Sequence, residues 1–265
     1  MLAVITGASS GLGAAFARKL AARGYDLLLI ARREDRLRSI AREISEQYHV
    51  RADFLAADLA ADAGLAAAAE RIRDADDLGL LVNNAGFGIV GYFFQTDPHL
   101  QEQMHRLHVL ATMRLSHVAL ANLIPRAKAG TGIINVSSVA AFAPSPQSVT
   151  YGATKTWMNR FTEGLAMELG VKSSPVTMQA LCPGFILTEF HDVIRMDRSR
   201  VPAVWWMGAD FVVEESLRGF DRAELFVVPG WRYKLLVWII RLLPDNLIRW
   251  GSIRTAQRFK QPKRN

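Results

Sequence analysis

Tyr151 and Lys155 stand four residues apart in a stretch of helical composition, a spacing that brings both side chains to one helix face. A phenol titrates near 10 in water, and a fixed ammonium beside it favours the phenolate and lowers that value. Such a pair can give a proton to a carbonyl oxygen as it gains charge, or take one from an alcohol. A second cluster opens the chain: Thr6-Gly7-Ala8-Ser9-Ser10-Gly11-Leu12-Gly13 follows an apolar run and leads into a helical stretch. Glycines there let the chain turn sharply and bring bare N–H groups up to a pyrophosphate, where the helix dipole favours negative charge. Cys182 is the single cysteine, which excludes a disulfide framework and a cysteine-built metal centre and points to a reducing compartment.

These groups need a scaffold, and the pattern of apolar runs supplies one. Leu2–Thr6, Asp26–Ile30, Ala52–Ala56, Leu80–Val82, Gly132–Val136, Thr177–Leu181 and Leu225–Val228 read as strands. Leu12–Arg23, Asp35–Tyr48, Ala61–Asp74, Pro98–Leu123 and Tyr151–Val171 read as helices between them. Alternation of this kind predicts right-handed βαβ crossovers and a parallel sheet covered on both faces. The strands lack polar alternation, as burial on both faces requires. The expected fold is a single α/β, Rossmann-type, doubly wound parallel sheet with a C-terminal helical extension. Residues 1–230 form the dinucleotide-binding and catalytic part, and 231–265 the extension. With 265 residues, half of them hydrophobic, and a mean hydropathy of +0.10, the chain is neither disordered nor collagen-like.

Five motifs in register then make the sequence resemble the short-chain dehydrogenase/reductases over about residues 2 to 190. Thr6, Gly7, Gly11 and Gly13 match the family's TGxxxGxG turn, and Asn83-Asn84-Ala85-Gly86 matches its NNAG. Ser138 precedes Tyr151-Gly152-Ala153-Thr154-Lys155 by 13 residues, as the family's serine precedes its YxxxK. Pro183-Gly184 with Thr188 matches the segment that closes on the nicotinamide. The resemblance implies that Tyr151 exchanges the proton, that Ser138 holds the same oxygen, and that Lys155 also binds the nicotinamide ribose. It selects Ser138 over neighbouring Ser137 by spacing alone. It further implies that Gly7, Ser9, Ser10, Gly11, Leu12, Gly13, Asn84, Ala85, Gly86, Tyr151, Lys155, Pro183, Gly184 and Thr188 contact the cofactor, with Asp58 and Leu59 at the adenine. One tetrad position departs, since His108 stands where the family has an asparagine. Two readings stay open there: an altered proton relay, or simple support of the helix.

At the end of the second strand an NAD-preferring member carries an acid for the ribose hydroxyls, whereas here Ala31 is followed by Arg32 and Arg33. A guanidinium pairs with a 2′-phosphate, so NADP(H) is the expected cofactor, unless both arginines merely pair with Glu34 and Asp35. The expected function is NADP(H)-dependent interconversion of a ketone or aldehyde and its alcohol. Its rival is a catalytically weak nucleotide-binding scaffold or sensor. Residues from Phe185 to about Glu214, with His191, Met196, Trp205, Trp206 and Met207, would cover a small apolar or bulky carbonyl substrate, or else pack structurally.

The formal charge of +7 is uneven: residues 231–265 carry +8 and the remainder −1. No basic stripe crosses the body, so nucleic acid is not an expected partner. The segment 231–260 mixes Leu235, Trp238, Ile239 and Leu242 with Lys234 and Arg241, then continues into a second basic helix, Asn246–Lys260. Peripheral membrane contact is one reading, and packing on the core or on a second subunit the other. A homodimer or homotetramer is expected. With no basic leader or apolar signal segment at the start of the sequence, a cytoplasmic location is expected, with peripheral membrane association through that segment as the alternative.

Overall fold

The computed structural model describes residues 1–126, 128–189 and 201–258. Seven strands, β1 (Leu2–Thr6), β2 (Asp26–Ala31), β3 (Ala52–Ala56), β4 (Leu78–Asn83), β5 (Gly132–Val136), β6 (Thr177–Leu181) and β7 (Phe226–Val227), form one parallel sheet. Its order is β3-β2-β1-β4-β5-β6-β7. Successive side chains of the central strands alternate between two cores: Ala3, Ile5, Leu27 and Leu29 face one, Val4, Leu28 and Ile30 the other. Both faces are apolar because both are covered by helices, which is why these strands read as continuous hydrophobic runs.

Strand order reverses between β1 and β4, so their carboxyl ends flank the crevice where ligands bind in such sheets. Helices α1 (Gly11–Ala22) and α2 (Glu34–Tyr48) cover one face, and α3 (Asp62–Arg73) covers the other. Pro98–Leu123, read from sequence as one helix, is divided into α4 (Pro98–His105), a π-helical turn over Arg106–Ala111, and α5 (Thr112–Leu123). Asp97 starts it, accepting the His99 N–H at 2.9 Å, with Pro98 in the first turn. The stretch Pro98–Arg126 is long and apolar enough to cross a membrane by length and composition, yet Met104, His108, Ala111, Leu115 and Leu123 are buried in the protein. Helix α6 (Val149–Val171) carries Tyr151 and Lys155.

After β6 the structure departs from the sequence reading in one element. Ala209–Asp221 forms a helix, α7, whose Val212, Val213, Ser216 and Leu217 are fully buried against α1 and β6. Residues 209–214, grouped from sequence with the substrate cover, therefore start a core helix, with Val212 and Val213 facing inward. His191 and Met196 of that expected cover lie outside the described residues, as do Lys260, Lys263 and Arg264. Two C-terminal helices follow, α8 (Trp231–Leu242) and α9 (Asp245–Arg258).

A buried polar clamp ties α7 to the sheet. Gln179, fully buried on β6, donates to the Ser216 carbonyl at 3.1 Å and accepts the Ser216 hydroxyl at 2.6 Å. Removing that hydroxyl leaves a buried amide oxygen without its donor, which typically costs about 1–3 kcal/mol. Ser216→Ala should lower the urea unfolding free energy by that amount, and an unchanged midpoint would show that the clamp contributes nothing.

Candidate active site

The carboxyl ends of β1 and β4 are joined by polar contacts before any ligand is considered. The Thr6 hydroxyl accepts the backbone N–H groups of Asn84 and Ala85, each at 2.9 Å. The Asn84 amide in turn donates to the carbonyls of Thr6 at 2.8 Å and Gly7 at 3.3 Å. The turn bends through Gly7 at φ +66°, a conformation that side chains other than glycine resist. No side chain caps α1, so the N–H groups at its start face the crevice with no acceptor of their own from Ser10. Gly13 is buried in its first turn and Leu12 packs on the core. Thr188 lies against Gly11, which brings the segment after β6 onto the turn.

Tyr151 and Lys155 rise from α6 beneath the end of β5. The Lys155 ammonium donates to the Val136 carbonyl at 2.7 Å and lies 5.7 Å from the Tyr151 ring centroid. Burial pushes Lys155 down to about 7, and the same burial raises the Tyr151 phenol above its usual 10, partly offset by a hydrogen bond from Ser138. The sequence expectation that the lysine lowers the phenol is thus corrected. Desolvation sets the direction for the phenol, and desolvation also favours the neutral form of the lysine. The phenol is protonated at neutral pH. Ser138 meets it from the end of β5, with its hydroxyl accepting the Ala140 N–H at 3.1 Å. Ser137 turns the other way and donates to the Lys155 carbonyl at 3.0 Å. Buried Cys182 lies behind the lysine, its thiol pushed up to about 12 by burial.

His108, fully buried in the π-helical turn, has a defined role among these groups. Its Nε2 accepts the Phe87 N–H at 3.3 Å, and its Nδ1 lies 2.9 Å from the Thr154 hydroxyl. That hydroxyl donates to the Tyr151 carbonyl at 3.0 Å, so Nδ1 must carry the proton, and the ring is neutral. Burial, then the Lys155 charge, holds its pKa well below the usual value. The ring also stands edge-on to Tyr151 at 5.9 Å and presses on Gly86, where a Cβ would come within 2.7 Å of Nε2. His108 therefore ties the loop after β4 to the helix that carries Tyr151.

Around the adenosine end, Arg33 makes the contacts. Its guanidinium donates to Ser9 at 3.1 Å and Ser10 at 2.8 Å, while Arg32 makes no hydrogen bond or ion pair to the described residues. Glu189 pairs with Arg33 at 3.2 Å and Arg36 at 2.7 Å, which holds its carboxyl below the usual range. Arg36, one turn into α2, was missed by sequence reasoning, although its place three residues beyond Arg33 was a usable signal. The Asp58 carboxylate accepts the Ala60 N–H at 3.0 Å at the end of β3, and Leu59 is buried.

The segment after Gly184 is roofed by a residue that sequence reasoning did not single out. The Tyr233 hydroxyl accepts the Phe185 N–H at 2.9 Å and donates to the Trp205 carbonyl at 2.7 Å. Its ring fills the space over Gly184, where a Cβ would come within 1.9 Å of it. Trp205 stacks edge-on against Tyr233 and Trp206 against Phe185, so both tryptophans are packed within this roof. Among the described residues no cluster could hold a metal ion.

A lysine held near 7 in the native chain and at 10.5 when unfolded makes the folded state bind fewer protons between those values. Stability should then rise with pH across that window by up to about 1.4 kcal/mol per pH unit and level off outside it. Lys155→Met removes the titration. Urea midpoints of wild type should climb relative to those of the variant from pH 7 to 10, whereas parallel curves would contradict a buried, charge-shifted lysine.

Three comparisons place the chain among known proteins. A family model described as short chain dehydrogenase matches residues 1–199. The human protein named inactive hydroxysteroid dehydrogenase-like protein 1 is 30% identical over 71% of this chain, which spans 56% of that relative's length. Among solved structures, the short-chain dehydrogenase from Sphingobium yanoikuyae in complex with NADPH superposes with a TM-score of 0.81 at 32% identity, over 100% of this chain and 98% of that one. The bulky-bulky ketone specific alcohol dehydrogenase from Comamonas testosteroni superposes with a TM-score of 0.77 at 29% identity, over 100% and 96%. With its glycine turn, Asn84 tie and Tyr151–Lys155 helix at the reversal point of the sheet, this chain belongs to the short-chain dehydrogenase family.

Proposed function

We propose that the chain reduces an apolar or bulky ketone or aldehyde with NADP(H), with Tyr151 as proton donor. The observation that carries this reading is a protonated, half-buried Tyr151 hydrogen-bonded to Ser138, beside the buried Lys155 at the carboxyl end of β5. The residues fit a dinucleotide phosphate. The uncapped start of α1 offers N–H donors to a pyrophosphate, and the Ser9, Ser10 and Arg33 cluster, with Arg36 beside it, offers donors and charge to a 2′-phosphate. The nicotinamide bound there supplies a hydride. Pro183, Gly184, Thr188, Asn84, Ala85 and Gly86 would hold it.

Ser138 donates a hydrogen bond to the substrate carbonyl and orients it. As negative charge develops on that oxygen, the Tyr151 hydroxyl delivers its proton, and Lys155 steadies the phenolate left behind. His108, neutral and held at both nitrogens, keeps the Tyr151 turn of α6 in place; it supports the helix and relays no proton. The solved neighbours named for an NADPH complex and for bulky-bulky ketones support the cofactor and substrate class. The rival, a cofactor-binding scaffold with little turnover, draws support from the human relative's name; the intact Ser138, Tyr151 and Lys155 set speaks against it.

Tyr151→Phe keeps the ring and loses the proton. Ketone reduction should fall on the order of 10²–10⁴-fold with NADPH affinity unchanged, and comparable turnover in the variant would overturn the assignment. Arg33→Ala should weaken NADPH binding about 10- to 100-fold in fluorescence titration and leave NADH little altered, whereas Arg32→Ala should leave both affinities little altered. Equal losses for both cofactors would place Arg33 outside the 2′-phosphate site.

A further inference from the structure

Helix α8 has two apolar faces, and the fold uses only one. Tyr233 and Val237 point inward and are buried, with Leu236 and Ile240 beside them half-buried. Trp231, Leu235, Trp238, Ile239 and Leu242 form a second stripe at helical spacing, and Trp238 and Leu242 are 60% and 64% exposed. Helix α9 continues the pattern with exposed Leu247, Trp250 and Ile253. Guanidinium groups sit on the exposed indoles: Arg232 lies 4.6 Å from the Trp231 ring and Arg254 4.3 Å from Trp250. Inward packing through Tyr233 and Val237 is thus present, and the outward apolar face is covered by no described residue.

We propose that this outward face docks on an anionic lipid bilayer. The twelve residues of α8 are about 18 Å long, too short to span roughly 30 Å of hydrocarbon, so the helix would lie in the interface plane. Indoles and aliphatic side chains at that depth, with arginines at the level of the headgroups, suit such a surface. Charge selects the occupant. The two described helices carry Arg232, Lys234, Arg241, Arg249, Arg254 and Arg258 against Asp245 alone, so two copies meeting through these helices would oppose like charges, whereas acidic headgroups would neutralise them. The inference stands whether or not the catalytic reading holds.

Full-length protein cosedimented with vesicles of equal parts phosphatidylcholine and phosphatidylglycerol tests it, against vesicles of phosphatidylcholine alone. Binding should require the anionic lipid and should fall steeply between about 0.1 M and 1 M salt, as the screening length drops from about 10 Å to 3 Å. Trp238→Glu combined with Leu242→Glu should weaken binding at least tenfold with the melting temperature and cofactor affinity unchanged, because both residues are exposed. Arg249→Gln with Arg254→Gln, which leaves the apolar stripe intact, should weaken it roughly tenfold or more and flatten the salt dependence. The proposal is overturned if wild type ignores anionic vesicles at low salt, or if the variants bind as wild type does. It is equally overturned if the glutamate variant turns a dimer into a monomer while lipid binding is absent, which would assign the face to a second copy.

Discussion

A buried ammonium is costly unless every neighbour is arranged for it, and much of this site is arranged around Lys155. The Val136 carbonyl accepts a hydrogen bond from it, and Ser137 turns away to donate to the lysine's own carbonyl. His108 stays neutral, so no second cation shares the space. The same desolvation raises the Tyr151 phenol and keeps it protonated at neutral pH. Acid and cation are thus tuned by one physical cause, the removal of water, while Ser138 pulls in the opposite direction by hydrogen bonding.

Two glycines of the family motifs owe their places to residues far away in sequence. Gly86 leaves room for the His108 ring, and Gly184 leaves room for Tyr233. In each case a bulky side chain from another element occupies the missing Cβ, locks the loop and joins it to the scaffold. Tyr233 extends that logic to the tail: the helix whose outer face is left uncovered also holds, through one hydroxyl, the segments at Phe185 and Trp205. Tyr233 thus joins α8 to the chain after β6, at Phe185, and to the chain before α7, at Trp205.

Much of this was legible in the sequence because it depended on local pattern. Strands buried on both faces read as apolar runs, and β1, β3, β5 and β6 begin and end where those runs do. The glycine turn and the Tyr151–Lys155 spacing are likewise local. What escaped depended on distant contacts or on solvent. Helix α7 was hidden because its apolar residues adjoin a stretch rich in tryptophan and charge that resembled a cover. The π-helical turn was hidden because a residue inserted into a helix changes geometry without changing composition. Arg33 rather than Arg32 reaches Ser9 and Ser10 because of where α2 begins, a boundary that pattern reading places only to within a residue or two. The direction of the Tyr151 shift could not be read from spacing at all, since it is set by burial.

The central claim is that the Tyr151, Lys155 and Ser138 set performs carbonyl reduction with NADPH rather than surviving as a relic in a binding protein. Single turnover with NADPH carrying deuterium at the nicotinamide C4, prepared separately on each face, and a bulky aryl ketone addresses it directly. The account predicts that deuterium from one face appears at the carbinol carbon of the product, with the hydroxyl proton taken from the medium. Saturating NADPH binding with no label transferred from either face, to ketones or aldehydes of any size, would contradict it.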